Sequence, residues 1–183
     1  MRTVWDLVND PAPYPSAVPI LISWLQRIDQ LPGGDDRERF REGLVRALTV
    51  KEARPVAAPL LVHQFRVVAD PMVRWAIGNA LAATADHTVF ADVADLVTDR
   101  SYGKARQMLV YALGRIGGRR YRARVVELLI ELLDDDDVVL HALHGVRTLK
   151  ITSVVSKLER LSSSHPHPTV RRTAQKVLAK LGP

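Results

Sequence analysis

The sequence predicts an all-α protein, a solenoid of about five helical hairpins stacked side by side. Three observations carry this. A nine-residue amphipathic pattern recurs five times, a second apolar-periodic stretch precedes each copy, and a short turn of Gly, Pro, Ser, His or Asp separates the two.

The copies are Phe40-Arg-Glu-Gly-Leu-Val-Arg-Ala-Leu48, Val73-Arg-Trp-Ala-Ile-Gly-Asn-Ala-Leu81, Ala105-Arg-Gln-Met-Leu-Val-Tyr-Ala-Leu113, Val138-Val-Leu-His-Ala-Leu-His-Gly-Val146 and Val170-Arg-Arg-Thr-Ala-Gln-Lys-Val-Leu178. Their starts lie 33, 32, 33 and 32 residues apart. The first, fifth and ninth residues of each copy are apolar, which is one face of a helix. This spacing predicts burial of Leu44, Leu48, Ile77, Leu81, Leu109, Leu113, Ala142, Val146, Ala174 and Leu178. The preceding helices are expected over Ser16 to Ile28, Arg54 to Val67, His87 to Thr98, Tyr121 to Asp134 and Ile151 to Ser163. Pro19, Pro55 and Pro59 fall early in theirs, where the first N–H groups have no intrahelical partner. Gly33 to Asp36, Asp70-Pro71, Asp99 to Ser101, Asp134 to Asp137 and Ser164 to Pro166 supply short side chains that cap the next helix.

An acidic turn followed by Val-Arg, a small residue and Leu resembles the second helix of HEAT repeats, over about residues 16 to 182. The resemblance implies a right-handed α–α superhelix of HEAT-like hairpins, with a ladder between the turn Asp and the Arg after Val. The matching residues are Arg41, Arg74, Arg106 and Arg171, with Asp36, Asp70 and Asp99; the fourth copy departs with Val139. Residues 1–15, with Val4, Trp5, Leu7 and Val8 ahead of three prolines, read as an apolar arm capping the array at 16–183.

Of the 183 residues, 26 are Lys or Arg and 20 Asp or Glu, a net charge of +6 that favours an acidic or polyanionic partner. Aromatic content of 5% gives little for a base-stacking platform. Cysteine is absent, which excludes disulfides, thiolate metal sites and thiol nucleophiles. Prolines and aspartates interrupt the N-terminus before any leader-like apolar run. The longest apolar stretch, Ala17 to Leu25, is broken by Pro19 and Ser23, short of the roughly 20 residues of a membrane span. A cytoplasmic location without membrane contact is expected.

Helical geometry sets the third and seventh residues of each copy opposite the core, the side that lines the concave surface in HEAT solenoids. The third positions are Glu42, Trp75, Gln107, Leu140 and Arg172; the seventh are Arg46, Asn79, Tyr111, His144 and Lys176; one turn later come Arg115, Arg147 and Lys180. The expected partner-binding row is Trp75, Asn79, Gln107, Tyr111, Arg115, Leu140, His144, Arg147, Arg172 and Lys176, with Trp75, Tyr111 and Leu140 as an apolar strip flanked by Arg; the alternatives are a plain solvated face and, for Trp75, sideways packing against the neighbouring hairpin. Aromatic and Arg residues are those enriched in interface hot spots. A second basic cluster, Arg119, Arg120, Arg122 and Arg124 beside Gly117-Gly118, is a candidate anion site or a solvated turn.

Chemistry has no comparable support. His141 and His144 lack a third ligand at metal spacing, His165 to Pro168 reads as a turn, and Asp134 to Asp137 lacks the Gly and Glu of a calcium loop. No phosphate loop, nucleophile elbow or zinc-protease motif occurs. No catalytic residue, metal or cofactor is expected. The leading function is a non-catalytic scaffold binding a protein or peptide on its concave face. The alternative is a nucleic-acid binder using a basic groove. That groove also resembles the HEAT-like alkylpurine DNA glycosylases; Trp75 and Tyr111 fit their aromatic part, but no Asp or Glu stands beside them. A likeness to the HEAT-like subunits of phycobilin lyases is limited to the repeat itself.

Overall fold

The computed structural model describes residues 3–118 and 120–181, and among them helices are the only regular structure. The N-terminal arm forms α1 (Val4–Val8). Five hairpins follow: α2 (Val18–Gln26) with α3 (Asp35–Ala47), α4 (Ala58–Val67) with α5 (Pro71–Thr84), α6 (Phe90–Thr98) with α7 (Gln107–Ile116), α8 (Arg122–Leu132) with α9 (Val139–Leu149), and α10 (Val155–Ser164) with α11 (Pro168–Leu181). Each first helix packs on its own second helix, and the second helices pack in series, α3 on α5, α5 on α7, α7 on α9 and α9 on α11. This is the stacking of a solenoid, in which one hairpin buries its apolar face against the next.

Local chemistry sets the helix ends. Asp70 caps α5 by accepting from the Met72 and Val73 N–H groups at 2.7 and 3.2 Å, and Pro71 starts that helix. Asp99 accepts from the Ser101 N–H at 3.0 Å. Several boundaries move from their expected positions, two of them for evident reasons. Arg54 is extended ahead of Pro55, as the residue before a proline tends to be, so α4 starts at Ala58. Gly103, at φ 52°, bends the link into α7, leaving Ala105 and Arg106 in 3-10 turns.

All the residues expected to be buried are buried except Leu178, which is half-buried. It lies in α11, which has a neighbouring hairpin on one side only. At the other end α1 packs on α3. A Cβ at Gly43 would stand 2.7 Å from the Val4 side chain, so only glycine allows this approach.

The arginine ladder differs from the one the resemblance implies. Asp70 and Asp99 are spent on N-caps, and neither forms an ion pair with Arg74 or Arg106. The arginines chiefly take up the end of the first helix of their own hairpin, where carbonyls lack partners. Arg74 donates to the Phe65 carbonyl at 3.1 Å and to that of Val68, Arg106 to Val97 at 3.0 Å, and Arg171 to His165 at 2.5 Å. Arg41 pairs with Asp29 at 2.6 Å and reaches Gln64 in the next hairpin. In the fourth hairpin, where Val139 replaces Arg, Lys157 from the fifth donates to Ile130 at 2.7 Å and pairs with Asp134 at 2.5 Å. Asp135 there receives fully buried Arg106 from the third hairpin at 2.9 Å.

Candidate functional site

Three successive second helices, α7, α9 and α11, enclose a cleft of about 260 Å³. Tyr111 comes from α7, Leu140, His144 and Arg147 from α9, and Thr169, Thr173, Lys176 and Val177 from α11. Tyr111 and Leu140, each 38% exposed, form its apolar part. His141 and His144 both set their rings edge-on to Tyr111, with centroids 5.3 and 5.0 Å away. The two imidazoles therefore pack against a shared aromatic ring. Among the described residues no group of three or more His, Cys, Asp or Glu could hold a metal.

Burial pushes the His141 imidazole below its usual pKa, with His144 adding to the effect; burial and then Arg147 do the same to His144. His141 Nδ1 is buried with no hydrogen-bond partner, so a proton there would have nowhere to donate. The unfolded chain takes up a proton near pH 6.5, whereas the folded chain resists it. The unfolded state binds more protons in that window, so stability falls as pH drops below about 6.5. A His141→Phe variant should show a flatter loss of melting temperature on acidification from pH 7.5 to about 5. An unchanged pH profile would exclude His141 as the responsible group.

The remaining expected row residues are distributed differently. Trp75 is half-buried against the core and lines a separate cleft of about 480 Å³ with Met72, Tyr102 and Lys104. Gln107 donates to the Asp137 carbonyl at 3.0 Å, tying the third hairpin to the fourth. Arg115 donates to the Ala82 and Ala85 carbonyls at 2.9 and 2.6 Å, closing the end of α5; its pKa is lowered by burial and by neighbouring Arg54. Asn79 is half-buried on α5, and Arg172 is exposed on α11.

The second basic cluster does not converge. Arg119 lies outside the described residues. Arg120 stacks on Tyr121 at 5.2 Å, Arg122 donates to the Leu149 carbonyl at 3.0 Å, and Arg124 pairs with Glu127 at 3.1 Å. Asp134 to Asp137 surround Arg106 and Arg100, and His165 and Pro168 serve the turn into α11: His165 Nδ1 accepts from the His167 N–H while Nε2 meets Asp136, each at 3.1 Å.

Residues 58–145 match the family model for HEAT repeats. That segment carries HEAT repeats. No curated protein and no solved structure matches it. The cleft straddles the edge of the matched HEAT segment, since Tyr111, Leu140 and His144 fall inside it and Arg147 and the α11 residues lie beyond.

Sequence reasoning left out the wall supplied by Thr169, Thr173 and Val177. Thr173 is the fourth residue of its copy, and this position turns toward the preceding hairpin, as Met108 does toward Gly78. The available signal was a hydroxyl at that HEAT position, where the second and third copies carry Ala76 and Met108. A further cleft of about 390 Å³, near Asp29, Arg37 and Arg41, has its charges paired internally. No helix among the described residues is long and apolar enough to cross a membrane.

Proposed function

We propose that the protein is a non-catalytic scaffold that holds a protein or peptide in the cleft between its third and fifth HEAT repeats. HEAT repeats are in general protein-interaction scaffolds, and solenoids present extended concave surfaces to their partners. The observation that carries the reading is the juxtaposition of exposed Tyr111 and Leu140 with Arg147 and Lys176 across three repeats. Most core positions along the second helices bury their apolar side chains, whereas Tyr111 and Leu140 on the cleft are left open to solvent.

Nucleic acid is the weaker reading, because several arginines that would form a phosphate-binding track are turned inward. Arg54 donates to the Ala83 carbonyl at 2.6 Å, and Arg115 and Arg122 close helix ends likewise. At the cleft a pair of cations remains beside an apolar floor.

A photo-crosslinking side chain placed at Leu140 is expected to yield a discrete adduct in a lysate of the native host, and the same group at exposed Ser156 on α10 is expected to yield none. Tyr111→Ala should weaken binding of the captured partner at least about tenfold with the melting temperature within a few degrees. Adducts from Ser156 but not from Leu140 would move the site to the first-helix face.

A further inference from the structure

The cleft joins an apolar floor to two cations that nothing neutralises. Among the described residues no Asp or Glu lines it, and neither Arg147 nor Lys176 forms an ion pair. Arg147 instead donates to His144 Nδ1 at 3.1 Å. An arginine can only donate, so Nδ1 accepts, and the neutral His144 ring carries its proton on Nε2. The ring thus adds a further donor to the lining, with no acidic group there to receive it.

We propose that the occupant is an acidic peptide segment, with an aliphatic or aromatic side chain on the Tyr111 and Leu140 floor and Asp or Glu carboxylates on Arg147 and Lys176. This rests on the scaffold reading above and adds the chemistry of the partner. Three features select such a segment. The volume, about 260 Å³, is below the roughly 300–1,000 Å³ of small-molecule sites, which suits an anchoring side chain. Arginine meets carboxylates through paired N–H groups, and a guanidinium already steadied by His144 loses less freedom in doing so. An apolar partner surface without carboxylates would cover Arg147 and Lys176 and leave both desolvated and unpaired.

The test is to pan a displayed random-peptide library against the full chain, with an Arg147→Glu, Lys176→Glu double variant as counter-selection. Both residues are exposed, so the variant should keep the wild-type melting temperature. Peptides retained by wild type and rejected by the variant are expected to carry Asp or Glu next to Leu, Phe or Trp. Synthetic versions should bind about tenfold more weakly to the double variant and to Tyr111→Ala, and more weakly as salt rises. Neutral or basic peptides that still depend on Tyr111 would overturn the acidic occupant while leaving the scaffold intact. Acidic peptides that bind the double variant equally well would also overturn it, as would a stronger preference for duplex DNA. If no peptide is enriched the inference fails, and crosslinking at Leu140 decides the scaffold independently.

Discussion

Replacing Leu113 by Asp is expected to unfold the protein, or to leave a species with lost cooperativity in thermal denaturation. Leu113 is fully buried in α7, the second helix of the central hairpin, with α5 on one side and α9 on the other. An aspartate there would be a charge without a partner, and the cavity left by the leucine would add to its cost. The expected destabilisation is about 5 kcal/mol. The middle position enlarges the consequence, because a defect in α7 disturbs the interfaces with both neighbouring repeats. Circular dichroism against temperature would measure it. A variant that melts within a few degrees of wild type would show that the central stack is not continuous.

The second large effect is expected at Asp135, whose carboxylate meets Arg106 at 2.9 Å, Arg100 at 3.5 Å and the Asp137 N–H at 3.1 Å. Arg106 is fully buried, so Asp135→Ala would leave its guanidinium charge at the junction of the third and fourth repeats with only the half-exposed Asp137 carboxylate, 3.8 Å away. Losing one member of a buried pair costs about 3 kcal/mol, or roughly 10 °C in melting temperature at this chain length. The same carboxyl also responds to acid. Burial acts to raise its pKa, but the hydrogen bond and charge of Arg106, the Asp137 N–H and Arg100 outweigh that and hold it below the usual range. The stabilisation is therefore complete above the unfolded-state pKa near 4 and is lost as pH falls through the lower folded value. Chemical denaturation of wild type and Asp135→Ala should converge in that acid range. A constant difference down to pH 2 would place the acid sensitivity elsewhere.

The helix register was legible because burial in a solenoid is one-dimensional: the period of Leu44, Ile77, Leu109 and Ala142 is the period of the core. Position within the array was less legible. Leu178 follows the same pattern, yet it is half-buried because its hairpin has only one neighbour. The lining of the candidate cleft was legible in part. Counting positions put Tyr111, Leu140, His144 and Lys176 on one face, but for Trp75 it did not decide between that face and sideways packing against the neighbouring hairpin. Charge was the least legible quantity. Whether Arg115 and Arg122 face solvent or a helix end depends on carbonyls some 30 residues away in sequence, and no local pattern records that.

The short helix α1 gives the two ends of the stack unequal standing. It stands where a preceding hairpin would, pressed onto α3 through Gly43, whereas α11 leaves Gln175 exposed and both Leu178 and Leu181 half-covered. In a structure whose parts hold only their neighbours, the terminal units are the least restrained, α10 and α11 among them. Those helices are not incidental, because α11 forms one wall of the cleft. Filling the cleft and holding the last hairpin down are then a single equilibrium. A partner bound in the proposed cleft would touch α11 and so would hold the last hairpin in place as it bound.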